Sequence, residues 1–371
     1  MRISFLVPRC TPDNSHGRYF IELAKRFSRE HVVTVYAGAF WSPLRTIVDC
    51  RYLPVPNRPA VARIGGLWGA SLLARRRTIG EIVHVNGADA PVGNVVTAQC
   101  CNAAMQTAGH SPGIYRRFNF AMGVLAEKYC MSKPTTQRVI AISRKVEGEI
   151  EREYGVQPHK VVVIYHGVDL DTFNPQNRLR FRSSIRNQLG VGKDQFLVVF
   201  VGGDYRLKGL KPLLKAAARV VGKIRVIPLG VEPDSALRRF VNENNYHQLV
   251  TFVGNTSKIS EYYAAADCFV LPTLYDTFSM ATLEAMAAGL PVIVSREAGV
   301  TELVTPDRDC LVLEDPHDVD ILTHELNRLF HDSELRLRLG QEARATAEKY
   351  SWDKVAERTF QVYQEALSVS Q

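Results

Sequence analysis

The chain has 371 residues, of which 46% are hydrophobic, 23% charged and 9% aromatic, with a net charge of +8. At ~150 residues per domain this suggests two sizeable domains, and the composition excludes a disordered chain. No run approaches ~18 uninterrupted apolar residues, so no membrane-spanning helix is expected. The opening MRISFLVPRC reads as a buried strand and is too short for a signal peptide.

In chain order, short β-branched runs alternate with amphipathic stretches. In the first half, strands are predicted over Ile3–Val7, Val32–Tyr36, Ile82–Val85, Val95–Ala98, Val139–Ile142 and Val161–Ile164. Helices are predicted over Tyr19–Arg29, Leu67–Arg77, Tyr115–Met131 and Arg144–Tyr154. His166-Gly-Val-Asp169 followed by Asn174-Pro175 is turn chemistry and marks a seam. Beyond it, strands are predicted over Phe196–Val201, Ile224–Leu229, Val250–Val253, Cys268–Leu271 and Val292–Val294, with helices over Leu210–Val220, Ser235–Asn244, Ser260–Ala266 and Met280–Ala288. The expected architecture is α/β, with two doubly wound parallel-sheet domains, 1–168 and 169–350. Residues 351–371 form a terminal helix expected to cross back to the first domain. Ligands of such sheets bind beyond the carboxyl ends of the strands, here in a cleft expected between two facing domains.

Charge divides unevenly at the seam. Residues 1–180 carry 24 Lys+Arg against 13 Asp+Glu, a net +11, whereas residues 181–371 carry 22 against 25, a net −3. The basic half suits an anionic partner or simply a solvated surface. Gly65-Gly-Leu67-Trp68-Gly-Ala-Ser-Leu72-Leu73-Ala-Arg75-Arg76-Arg77 joins Trp and Leu to three arginines. It fits either an anionic membrane surface or a helix packed on the sheet with a basic end. Basic residues are not interleaved with aromatics in a nucleic-acid module, so no nucleic-acid partner is expected. The seven cysteines are odd in number and scattered without a C-x-x-C pair, which points to a reducing, cytoplasmic setting. No His/Asp/Glu cluster has metal spacing, so neither a metal nor another cofactor is expected.

The most informative segment runs from Leu271 through Asp276, Thr277, Phe278, Ser279 and Met280 to Glu284, Gly289 and Pro291. A buried strand ends, an irregular turn follows, and a helix starts near Ser279 and stops at Gly289. Asp276 and Glu284 would stand roughly 12 Å apart at ~1.5 Å per residue, suiting them to grip the two ends of an extended ligand. The amides of Thr277–Met280 and the helix dipole between them favour a phosphate. The competing view is that Asp276 only caps the helix and Glu284 faces solvent. In Gly202-Gly203-Asp204-Tyr205-Arg206-Leu207-Lys208-Gly209, a strand runs into two glycines and two cations able to neutralise a pyrophosphate. His84 and His166 are read as buried, satisfied histidines before catalytic ones.

These segments resemble family 4 of the retaining glycosyltransferases, which have the GT-B fold. The resemblance rests on Asp276-x7-Glu284 with Ala-Met-Ala-Ala-Gly-Leu-Pro-Val after it, together with Lys208-Gly209, Val139-Ile-Ala-Ile-Ser143, His166-Gly-Val-Asp169, Ala266-Asp267 and Gly299-Val-Thr-Glu302-Leu. The run Gly203–Gly209 looks most like bacterial lipopolysaccharide-core glucosyltransferases. The resemblance implies a nucleotide-sugar donor, with UDP-glucose favoured, and a glycan or glycolipid acceptor in cell-envelope synthesis. It implies that Glu284 binds ribose, Asp276 the transferred sugar, and Lys208 with Arg206 the pyrophosphate. Gly202, Gly203 and Thr277–Met280 would complete the donor site. The loop Asn14-Ser-His16-Gly17-Arg18 matches the family's first loop and, with Gln99, would form the acceptor side.

Three positions depart from the family pattern. Asp276 replaces the usual Glu, Asn14-Ser15 replaces a common Gly-Gly, and Gln99 replaces a histidine, removing any proton carrier there. A nucleotide-sugar epimerase of the same fold, or a non-catalytic nucleotide-sugar-binding subunit, would share the same donor grip.

Overall fold

The structure is a computed structural model and describes residues 1–53, 65–69, 71–72, 81–107 and 114–368. It divides into two compact units, Met1–Gly167 with Trp352–Gln371, and Val168–Ser351. The His166–Asp169 turn carries the chain out of the first unit.

The first unit holds a seven-stranded, wholly parallel sheet: β1 Arg2–Leu6, β2 Val32–Ala37, β3 Asp49–Tyr52, β4 Ile82–Asn86, β5 Val95–Ala98, β6 Arg138–Ala141 and β7 Val161–Val163. Its order is β3-β2-β1-β4-β5-β6-β7. β4 and β5 are buried at every position, as the continuous apolar runs of a sheet covered on both faces require. β3 was not expected. Its sequence DCRY is polar and mostly exposed, because an edge strand has little to bury and so leaves no hydrophobic pattern.

The helix Ser15–Phe27 begins four residues before the predicted start, because Asn14 caps it by accepting from the Gly17 amide at 2.7 Å. The terminal helix Trp352–Ser368 packs on it and carries Tyr363 to the buried His84. His84 Nδ1 lies 2.6 Å from Tyr363 Oη and Nε2 2.5 Å from Thr97 Oγ1. Burial holds the imidazole neutral, with its pKa lowered to about 3. His166 packs between the rings of Tyr19 and Trp352. Both histidines are core residues.

The second unit holds a five-stranded parallel sheet: β8 Phe196–Val201, β9 Ile224–Leu229, β10 Cys268–Leu271, β11 Val292–Ser295 and β12 Leu311–Leu313, in the order β12-β11-β10-β8-β9. The predicted strand Val250–Val253 does not form. That segment touches β9 only through isolated bridges at Val250 and Gly254, with Gly254 in a left-handed turn that breaks the ladder. Three helices were missed: Asn177–Gln188, Val319–His331 and Ser333–Ala347. The first and third are arginine-rich and only weakly amphipathic, so periodicity alone does not mark them.

In each sheet the strand order reverses once, between β1 and β4 and between β8 and β10. Such switch points open a crevice outside the carboxyl ends of the strands.

Candidate functional site

At the switch point of the second sheet, the loops after β8 and β10 bring Lys208 to Asp276. Lys208 Nζ lies 2.6 Å from Asp276 Oδ2, both side chains being largely buried. The other carboxylate oxygen, Oδ1, accepts from the Phe278 amide at 3.2 Å. The Asp276 backbone is pinned by its amide donating to Glu297 O and its carbonyl accepting from Gly299 N, each at 3.1 Å. Asp276 therefore does not cap the helix. The N-cap is Ser279, whose side chain makes no capping bond.

Only Met280–Ala287 is helical, so a rise of ~1.5 Å per residue does not apply between Asp276 and Ser279. Ser279 holds φ 76° and ψ 76°, a left-handed conformation for a residue with a Cβ. Its Oγ is tied to Thr282 Oγ1 at 2.7 Å. Such backbone costs about 1–3 kcal/mol and persists where the surroundings over-determine it. The turn presents the first amides of the helix, which have no intrahelical acceptor, while Phe278 is buried and Met280 is half-buried. Glu284 is 4% exposed, and every residue from Thr282 to Ala287 is buried. A solvent-facing Glu284 is thereby overturned.

Lys208 lies across the end of β8, where a Cβ on Gly202 would stand 2.8 Å from its Cγ. Gly209 turns the chain with φ 77°, and a Cβ there would stand 1.9 Å from Pro272 O. The Lys-Gly pair thus fits the lysine to the end of β10. Arg206 is held elsewhere. Its Nη2 donates to Asp234 Oδ2 at 2.6 Å and its guanidinium lies over the Tyr205 ring. With 63% of its side chain exposed, it is a rim cation and is not brought to Asp276. Sequence reasoning missed Gly230 and Gly254. The Gly230 amide donates to Gly254 O at 2.7 Å, and its α-carbon faces Gly203. Glycine at the end of a strand was the available signal.

The first unit carries a cavity of about 690 Å³ at its own switch point, lined by residues that follow β1, β4 and β5. His16 and Gln99 line it, whereas Gly17 does not. Gly17 is buried against the Arg9–Thr11 loop, where a Cβ would meet Thr11 O at 2.4 Å. Asn14 lines the cavity too, but its side chain is committed to the Gly17 amide, to Thr11 and to Asp13. Asn86, Asp89 and Glu127 were not anticipated. Asn86 Nδ2 reaches His16 Nδ1 at 3.2 Å and Asp89 Oδ2 at 3.1 Å.

Glu127 is buried and accepts from Tyr154 Oη at 2.6 Å and from the Asn102 amide at 2.9 Å. Burial, only partly offset by these bonds, pushes its carboxyl up to about 7. The run Asn86-Gly-Ala-Asp89, which ends β4 and turns the chain, was a legible cue. Glu127 gave none, since it is a charged residue inside a helix.

Among the described residues, no group of three or more His, Cys, Asp or Glu could hold a metal ion. Nor is any helix among them long and apolar enough to cross a membrane.

Two family models match the chain, "Glycosyltransferase Family 4" over residues 16–172 and "Glycosyl transferases group 1" over residues 181–346. WaaG, a glycosyltransferase involved in lipopolysaccharide biosynthesis, has a similar fold, with a TM-score of 0.82 at 20% identity over 96% of this chain and 98% of that one. Anabaena Alr3699/HepE in complex with UDP-glucose gives a TM-score of 0.77 at 18% identity over the whole of both chains. The two parallel-sheet, Rossmann-like units are those of the GT-B fold, and the chain belongs to the family 4 glycosyltransferases. A D-inositol 3-phosphate glycosyltransferase of Salinispora arenicola is 31% identical over 253 residues, 62% of this chain and 55% of the relative. The match spans little more than half the length of most such curated relatives.

Proposed function

We propose that the protein is a retaining glycosyltransferase that needs no metal ion. It would move a sugar from a nucleotide-sugar donor, UDP-glucose in the first instance, to a hydroxyl of a glycan or glycolipid. The observation that carries this reading is the Lys208–Asp276 pair at the switch point of the second sheet, followed in the chain by the helix Met280–Ala287 that buries Glu284. Glu284 binds the ribose. Lys208 neutralises the diphosphate, assisted by the first amides of Met280–Ala287, and Arg206 contributes from the rim. Asp276 exchanges its bond to Lys208 for hydroxyls of the transferred sugar. The bond between the sugar's anomeric carbon and the diphosphate breaks, and the acceptor oxygen attacks from the face that the diphosphate leaves. The acceptor proton passes to a departing phosphate oxygen. The cavity lined by His16 and Gln99 receives the acceptor.

A UDP-sugar is supported by the fold shared with HepE in its UDP-glucose complex, and a cell-envelope acceptor by the fold shared with WaaG. The protein is read as cytoplasmic and peripheral on an anionic membrane. Leu125 and Tyr129, four residues apart on the helix Ile114–Ser132, are 61% and 52% exposed, and the Trp68 ring lies 5.5 Å from Tyr129. The arginines Arg75–Arg77 of the same predicted surface lie outside the described residues. Sedimentation with anionic vesicles tests this, and absence of salt-sensitive binding rejects it.

The donor reading is tested by melting the protein with UDP-, GDP-, ADP- and TDP-sugars. Selective stabilisation by one nucleotide family, growing with its concentration, is expected. Indifference to all four rejects it. Asp276→Ala should lower sugar transfer more than nucleotide affinity.

A further inference from the structure

The cavity of the first unit is unusual for a site in a basic half-chain. Gln99 is 4% exposed, and neither Oε1 nor Nε2 of its amide has a hydrogen-bond partner among the described residues. Asn86 is buried likewise; its Nδ2 serves His16 and Asp89, while Oδ1 is left without a donor. Buried polar atoms of this kind are rare unless something at the site completes them. Two of the three are acceptors and the third is a donor. Each sugar hydroxyl donates once and also accepts, so two neighbouring hydroxyls on a ring can satisfy all three, whereas an ionised phosphate or carboxylate offers acceptors only. An anion would pair with Gln99 Nε2 and oppose the other two.

Charge points the same way. Asp89 lines the cavity, joined by a Glu127 carboxylate above a pH of about 7, and its one described guanidinium, Arg9, is offset by Asp13 at 2.9 Å. Phe120 supplies an apolar wall.

We infer that the floor of this cavity, at Gln99 and Asn86, binds an uncharged, hydroxyl-bearing ring and discriminates against a phosphorylated or carboxylated one. The inference rests on the reading of this cavity as the acceptor side and names the class of group that enters it. The excess basic charge of residues 1–180 then serves some other surface.

The test uses the full chain at pH 8, above the Glu127 value of about 7, with UDP saturating the second unit. Ligand-observed NMR compares methyl α-D-glucoside, methyl α-D-mannoside and myo-inositol with glucose 6-phosphate, mannose 6-phosphate and D-myo-inositol 3-phosphate. At least one neutral probe should bind tenfold or more tightly than its phosphorylated counterpart. Gln99→Leu should weaken that probe at least tenfold without changing UDP affinity. Asp89→Asn should narrow the gap between the members of each pair. Tighter binding of the phosphate in every pair, no binding by any probe, or an unaltered Gln99→Leu overturns the inference. Should Gln99→Leu fail to fold, the wild-type pairs still decide. If UDP and UDP-glucose leave the melting temperature unmoved, the donor reading falls on its own, separately from this one.

Discussion

Both units carry their candidate site at a switch point of a parallel sheet, yet they prepare it in opposite ways. In the second unit the charged groups are already joined, Lys208 to Asp276 and Arg206 to Asp234. A ligand there must exchange one ionic partner for another. In the first unit the amide of Gln99 and the Oδ1 of Asn86 are neutral, buried and without partners among the described residues, and the nearby carboxylates are held by hydrogen bonds. The arrangement of the second unit suits a group on which negative charge develops. That of the first suits recognition of a group whose charge does not change. On the proposed reading, a similar sheet order would serve stabilisation of a leaving group in one unit and selection in the other, with the loops beyond the strands making the difference.

The sharpest way to break this contrast is Lys208→Ala. It removes the cation assigned to the diphosphate and strands Asp276, so turnover should fall by two orders of magnitude or more. Single-turnover assays with saturating UDP-glucose check it, and near-normal turnover would remove Lys208 from the mechanism. Next comes Gly209→Ala. Its positive φ and the approach to Pro272 O should destabilise the second unit by about 2 kcal/mol or more. Calorimetry should show that loss in one of two transitions while the first unit melts as before.

The first unit should betray its buried titratable groups through pH. Glu127 keeps its proton to about 7 when folded, against ~4.3 in an unfolded chain. Its contribution is therefore full below the unfolded value and lost as pH rises through 7, amounting to roughly 3–4 kcal/mol. Glu127→Gln should flatten that slope in denaturant titrations. His84 acts in the opposite sense. Its folded value of about 3 lies below the ~6.5 of an unfolded histidine. Its contribution is present above 6.5 and lost as pH falls toward 3. The first unit should accordingly be the more pH-sensitive of the two.

Arg206→Ala should do least. An exposed guanidinium on a screened rim pair contributes little to stability, and a turnover loss under about tenfold is expected. A loss as large as that of Lys208→Ala would put both cations at the diphosphate.

The candidate site of the second unit was more legible than the cavity of the first because its residues are close in sequence. Gly202 to Gly209 and Asp276 to Glu284 each form one strand–loop–helix unit whose turn chemistry shows in the residue types. The cavity of the first unit draws Asn86, Gln99 and Glu127 from three separate elements, and only Gln99 was found. Glu127 is invisible to pattern because a helix tolerates glutamate anywhere along its length. What marks it is burial, and burial belongs to the packed unit.

The β-branched runs, their alternation with amphipathic stretches and the turn at His166–Asp169 were enough to determine an α/β chain with two parallel sheets, because side-chain periodicity is a local property. The union of Lys208 with Asp276 rather than Arg206, the left-handed Ser279, the polar edge strand Asp49–Tyr52 and the solitary amide of Gln99 were decided only by tertiary structure. Each depends on how segments are brought together in the folded unit, which residue type and local periodicity do not encode.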